Sequence, residues 1–158
     1  MARKTLQLIL APGSVVAGHA KYEVVKKLGE GGCGSVYICH TPPAQGESRG
    51  KTTRRRAATR RLAVKVLENP KEKPRFDREI KVMRAARGPH VVKCLDSGTH
   101  EGFPWLAMEY MAGGSLRDLL DREKRLPAED AAWIIVQAAR GLIASGTYHR
   151  DLKPENLL

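Results

Sequence analysis

A chain of 158 residues, 42% of them hydrophobic, is long enough for one ordinary domain and apolar enough to build its core. Its net charge of +11 suggests an acidic partner, but seven basic residues and no acidic one fall between Arg49 and Arg61, so the excess belongs to one segment rather than to the domain. Three cysteines, Cys33, Cys39 and Cys94, are an odd number without metal-ligand spacing, which excludes a disulfide scaffold and points to a reducing compartment, the cytoplasm by default.

In chain order, residues 1–20 show no clear period and contain Pro12, Gly13 and Gly18, which reads as a leader or loosely packed extension. The apolar run from Leu6 to Leu10 behind Arg3 and Lys4 is too short and too interrupted for a signal peptide. No stretch approaches the roughly 20 apolar residues of a membrane span. A strand is expected from Tyr22, where Val24, Val25 and Leu28 mix alternation with β-branching. Then comes the pattern G-x-G-x-x-G-x-V at Gly29, Gly31, Gly34 and Val36. That spacing alone is weak, because a Rossmann loop shares it, and a plain hairpin turn would also satisfy it. The residues that follow, Ser35 to Cys39, are β-branched and aromatic, so the glycines join two strands instead of opening a helix. From Thr41 to Arg60 the composition cannot bury apolar surface and predicts an exposed basic insertion. A charge run of this kind is first a solvated segment, and nucleic acid is not the expected partner.

Residues 61–67 read as a short apolar strand carrying one lysine, Lys65, which is costly to bury without a partner. A helix should begin near Pro74 and end at Gly88-Pro89, with Phe76, Ile80 and Met83 at i, i+4 and i+7 on its apolar face. Glu79 lies at the edge of that face. Two more strands are expected, Val91 to Asp96 and Pro104 to Glu109, separated by a turn over Ser97 to Gly102. Ser115 and Asp118 form a capping box at the start of a short helix. The longest helix starts after Pro127, with Ala131, Ile134, Ile135, Ala138 and Leu142 at helical spacing.

The chain closes on His149-Arg150-Asp151-Leu152-Lys153-Pro154-Glu155-Asn156. Acidic, basic and amide side chains together within eight residues suit phosphoryl transfer, in which catalysis is mostly positioning a hydroxyl and neutralising phosphate charge. Asp151 can accept the hydroxyl proton. Lys153, two residues on along an extended loop, can reach the phosphoryl group, and Asn156 offers a neutral oxygen to magnesium.

This string, with the glycine loop and the strand lysine of Ala63-Val64-Lys65 before it, resembles the eukaryotic-type (Hanks-type) serine/threonine protein kinases, and the opening Leu28-Gly29-Glu30-Gly31-Gly32 looks like the bacterial members. The resemblance covers Tyr22 to Leu158 and implies an α+β fold: a five-stranded antiparallel N-lobe with one helix (21–111, with 41–60 inserted) and the first helices and catalytic loop of a helical C-lobe (112–158). It implies ATP and magnesium as cofactors and a protein as substrate. The nucleotide would lie against Leu28, Gly29, Glu30, Gly31, Gly32, Cys33, Gly34, Val36 and Ala63, with Lys65 on the α- and β-phosphates and Glu79 as its ion-pair partner. Met108 would guard the back pocket, the backbone of Glu109 and Met111 would hold adenine, and either Ser115 or Asp118 would touch the ribose. Asp151 and Lys153 would be catalytic, and Asn156 would bind the metal. The family pattern has about three more residues than Ile143 to Tyr148 supplies. The chain also stops before the D-F-G aspartate, which implies a catalytic domain cut short, inactive alone and with the face of Ile134, Ile135, Ala138 and Leu142 bare. The alternatives are a non-catalytic nucleotide-binding or interaction fragment and a small-molecule phosphotransferase of related fold, the latter disfavoured by the complete HRDLKPEN.

Overall fold

The computed structural model describes residues 10–31, 34–41, 60–86, 88–146 and 148–158. Gly32 and Cys33 of the glycine loop, the basic segment 42–59 and residues 1–9 lie outside the described residues. The chain divides into two compact units, 1–76 with 95–110, and 77–94 with 111–158. Residues 77–94, placed with the first lobe in the sequence reading, therefore group with the second unit.

The first unit is a six-stranded sheet in the order β1-β2-β3-β4-β6-β5. Its strands are β1 (Val15–Ala17), β2 (Lys21–Gly31), β3 (Gly34–His40), β4 (Arg61–Leu67), β5 (Cys94–His100) and β6 (Phe103–Glu109). The expected five strands are thus joined by β1, which pairs with β2 through Val15↔Glu23 and Ala17↔Lys21. A three-residue strand is too short to show alternation, and its flanking Pro12, Gly13 and Gly18 disguise it. The last expected turn is also shorter than predicted. β5 runs on through Ser97-Gly98-Thr99-His100, and the chain turns only at Glu101 and Gly102, with φ of 49° and 84°. Gly98 marks a close approach rather than a turn, since a Cβ there would stand 2.9 Å from Cζ2 of Trp105.

Side chains alternate across the sheet, and opposite residues of antiparallel strands share a face. One face carries Tyr37 and Cys39, Leu62, Val64 and Val66, and Trp105 and Ala107; with Leu10, Val16, Tyr22 and Val24 these form the core. The other face carries Val36 and Ile38, Ala63 and Lys65, and Leu106 and Met108. Every strand residue assigned to the nucleotide from β3, β4 and β6, the backbone-assigned Glu109 apart, therefore falls on the face opposite the core. Helix α1 (Lys73–Ala85) follows a 3₁₀ turn at Pro70–Glu72 whose Asn69 side chain caps Lys71 N at 3.1 Å, and it begins by burying Phe76 completely.

The core position of Cys39 fixes its chemistry. Burial pushes its thiol up to about 12, far above the unperturbed value of about 8.5, so almost no thiolate exists at neutral pH. Peptide-resolved alkylation at pH 7.5 is expected to leave Cys39 unmodified in the folded chain while the half-buried Cys94 reacts, and to modify both after denaturation. Equal labelling of the two in the native protein would contradict this packing.

In the second unit, α2 (Leu116–Glu123) and α3 (Ala128–Ser145) accompany a 3₁₀ turn at Pro154–Asn156. α3 lies against the 88–90 turn through Gly141, where a Cβ would stand 2.6 Å from the His90 carbonyl oxygen. The apolar stripe of α3 is rotated from the expected one: Ile134, Ala138 and Leu142 are half-buried, whereas Ile135 is 64% exposed. The shortened stretch after Leu142 is accommodated by stopping the helix at Gly146, which takes φ 62° and donates its N–H to Ile143 O. Among the described residues no helix is long and apolar enough to cross a membrane.

Candidate active site

Each unit carries its own part of the candidate site. In the first, β2 and β3 pair through Gly29↔Val36, Glu30↔Ser35 and Gly31↔Gly34, with a register shift between Lys27 and Gly29 that falls at Leu28. Leu28 is 43% exposed, although it is a large apolar residue at the end of an ordered ladder. The row continues Val36↔Lys65↔Leu106, and the next one along is Ile38↔Ala63↔Met108, so the strand lysine is framed by Val36, Ala63 and Leu106. Lys65 is half-buried, and its Nζ stands 5.8 Å from the ring centroid of Phe76. Glu30 accepts a 2.7 Å hydrogen bond from Lys27, an exposed pair that contributes little. That bond comes first among the causes that raise the Lys27 pKa above its ordinary value. At the end of β6, Glu109 stands opposite Leu62, and Arg61 lies 6.0 Å over the ring of Tyr110, a contact that sequence reasoning did not single out.

The three glycines of the loop that are described divide into two kinds. A Cβ added at Gly29 or Gly31 would meet nothing within 4 Å, whereas one at Gly34 would stand 1.9 Å from the Val66 carbonyl oxygen. Nothing in the packing of the described residues asks for glycine at 29 or 31. A loop whose backbone must approach an outside group closely does ask for it, and this fits a phosphate chain.

The second unit holds the HRDLKPEN loop and brings together the side chains of Asp151, Lys153 and Asn156. Lys153 Nζ lies 3.1 Å from Oδ2 of Asp151. Asn156 donates from Nδ2 to the Asp151 carbonyl oxygen at 2.7 Å, and Nδ2 is 3.4 Å from Oδ2 of the same residue. Arg150 sits in the left-handed region at φ 61°, a conformation that turns the chain sharply just before Asp151. The 3₁₀ turn is then tied to the start of α2 by Leu116 N donating to Leu157 O at 2.7 Å. The capping box appears as expected: Asp118 Oδ2 accepts from Ser115 N and Oγ, both at 2.7 Å, and Ser115 Oγ accepts from Asp118 N. Those bonds from Ser115 hold the Asp118 carboxyl below the usual range. Asp118 is thus engaged as a cap, and the structure does not favour it over Ser115 for the ribose. Glu79, in α1, and Met111 belong to the second unit, while Lys65 belongs to the first.

Asn156 uses its amide nitrogen within the loop, which leaves its oxygen as a hard neutral donor of the kind magnesium takes. Among the described residues no cluster of three or more His, Cys, Asp or Glu could hold a metal.

The family model "Protein kinase domain" matches residues 22–158. The chain is 31% identical over 140 residues to the serine/threonine-protein kinase AfsK of Streptomyces coelicolor, covering 87% of this chain and 16% of that protein. It is 32% identical over 152 residues to PknJ of Mycobacterium tuberculosis, covering 94% and 24%, and 34% identical over 157 residues to pkn2 of Myxococcus xanthus, covering 94% and 17%. Among solved structures, the PknI kinase domain of Mycobacterium tuberculosis (C20A mutant) superposes with a TM-score of 0.67 at 29% identity, over 94% of this chain and 57% of that one. The chain therefore spans about a quarter or less of the length of these curated relatives.

Proposed function

The chain belongs to the protein kinase domain family, and from that premise we propose that it serves ATP-dependent phosphoryl transfer to a serine or threonine hydroxyl of a protein substrate in the cytoplasm. The observation that carries this reading is the loop in which one carboxylate, one ammonium and one amide converge within 3.4 Å. Asp151 accepts the hydroxyl proton as the oxygen attacks. Lys153, now paired with Asp151, is positioned to turn its charge to the transferred phosphoryl group. Asn156 braces the Asp151 backbone by donating to its carbonyl oxygen and offers its own oxygen to the metal. Magnesium and ATP, when bound, supply the phosphoryl group and the counter-charge that lets it transfer.

In the first unit, Gly29, Glu30 and Gly31 would approach the phosphates through the backbone, and the role of Gly32 and Cys33 beside them belongs to the same proposal. Leu28, Val36, Ala63 and Met108 give adenine an apolar bed beside the backbone of Glu109 and Met111. Lys65 serves the α- and β-phosphates with Glu79 as counter-charge. The names of the relatives favour serine or threonine as acceptor.

The test is calorimetric binding of magnesium-ATP to the full chain, followed, in a version that carries a complete catalytic domain, by label transfer from γ-labelled ATP to a generic serine/threonine acceptor. Binding that Lys65→Met weakens, and transfer that Asp151→Asn abolishes, are the expected results. Absence of nucleotide binding overturns the reading. Binding without transfer leaves a nucleotide-binding module and removes the transfer step.

A further inference from the structure

Phe76 was legible in the sequence only as an apolar residue of a helix face. In the structure it is 0% exposed and its ring centroid lies 5.8 Å from Nζ of Lys65, on the sheet face opposite the core. Lysine is a flexible stem ending in a compact charge with three rotatable donors, so pointing it at a ligand requires something that fixes the direction of the head. A carboxylate attracts an ammonium from many angles and partly cancels its charge. The face of a ring attracts it along one axis only and leaves the positive charge undiminished on the outward side. Complete burial holds that ring still. Val36 and Leu106, opposite Lys65 in the row, are apolar and add to the desolvation that strengthens such a contact.

We propose that Phe76 is a positioning residue for the proposed nucleotide site: its ring face aims the Lys65 ammonium at the phosphates, alongside whatever polar partner that ammonium takes. This rests on the phosphate-binding reading of Lys65 and extends it to a residue with no polar atom. It also explains the placement of an aromatic residue at the first turn of α1, three positions before Glu79 and so on the same helical face.

The test compares the full chain with Phe76→Leu and with a trifluorophenylalanine incorporated at position 76, which keeps the ring's shape and drains its negative face. Two readouts separate aiming from packing. The first is affinity for ATP against adenosine, because aiming acts only through the phosphates. The second is the ring-current displacement of the Lys65 ε-methylene resonances, identified by their loss in Lys65→Arg. ATP affinity is expected to fall about 3- to 10-fold in both variants, in keeping with attractions of this type. Adenosine affinity should hold, and the ring-current displacement should vanish in Phe76→Leu. Unchanged ATP affinity in the fluorinated protein, or a parallel loss of adenosine binding, overturns the proposal alone. A wild-type chain that binds neither ligand overturns the phosphate-site reading and the proposal together.

Discussion

Replacing Gly34 with alanine is expected to destabilise the first unit by about 3 kcal/mol or more, the sum of a strained backbone and a collision that no rotamer relieves. Gly34 has φ 149°, which L side chains rarely adopt, and a Cβ there would lie 1.9 Å from the Val66 carbonyl oxygen and 2.9 Å from the Glu68 nitrogen. Both neighbours are backbone, so the only relief is to part β3 from β4 where Gly34↔Leu67 and Ser35↔Val66 pair. Leu67 and Ser35 are almost fully buried there, and opening the ladder would wet them. By contrast, Gly29→Ala and Gly31→Ala meet nothing in the fold, and stability should change by only about 0.5–1 kcal/mol, upward because alanine is the less flexible residue. Their expected loss is in ATP affinity. Thermal melting of the three variants distinguishes these roles: about 4–8 °C of Tm accompanies each kcal/mol in a unit of this size. Gly34→Ala melting with the wild type would refute the packing argument, and Gly29→Ala binding ATP normally would remove the ligand argument at that position.

That one motif divides in this way shows where sequence reading succeeds and where it stops. The spacing of Gly29, Gly31 and Gly34, with β-branched residues after the last glycine, predicted a loop that joins two strands, and β2 and β3 pair on either side of it. It could not say which glycine packs against β4, since β4 lies across the insertion and its register is fixed only by pairing. The convergence of Asp151, Lys153 and Asn156 was legible because it is local, spanning six residues of one loop. Phe76 under Lys65 was not, because a helix face and a strand face meet there at a distance in sequence. The stripe of α3 shows the same limit. Ile134 and Ile135 both satisfy helical spacing, and only contact with the 88–90 turn through Gly141 selects the face that packs. The extra strand β1 escaped because its evidence lies in what Val16 and Leu10 bury against, not in any period they show.

The largest feature without a sequence signal is Asp96, a carboxylate 3% exposed that ties the two edges of the sheet together. β1 and β5 stand at opposite ends of the strand order, yet Asp96 of β5 accepts hydrogen bonds from the segment that joins β1 to β2 and from β2 itself. Oδ2 accepts from His19 N and from the Tyr22 hydroxyl, both at 2.9 Å, while Oδ1 accepts from Ser97 N at 2.8 Å and lies 2.6 Å from His19 Nδ1. A carboxylate only accepts, so Nδ1 carries the proton. Gly18 is required for the approach, because a Cβ there would stand 2.5 Å from both Asp96 Oδ2 and Trp105 Cη2, and Tyr22 completes the closure by packing edge-on to Trp105 at 5.7 Å.

Burial alone would raise the pKa of Asp96, but the bonds from His19, Tyr22 and Ser97 outweigh it and hold the carboxyl below its usual range. A depressed folded value means that the ionised clasp contributes its full stability above the unfolded pKa of about 3.9 and loses it as pH falls below that toward the folded value. Asp96→Asn keeps the shape but turns one acceptor into a donor facing donors, and a hydrogen bond to a charged group is worth about 1.5–3 kcal/mol. The expected cost at pH 7 is therefore about 2–4 kcal/mol, a large share of a total of about 5–15. Urea denaturation of both proteins from pH 7 to 2.5 checks magnitude and sign together, since other carboxylates titrate alike in the two. The difference between them should stay constant down to about pH 4 and shrink below it. A gap that persists unchanged at pH 2.5 would mean that Asp96 acts by shape rather than by charge, and a variant as stable as the wild type at pH 7 would mean that the sheet closes without it.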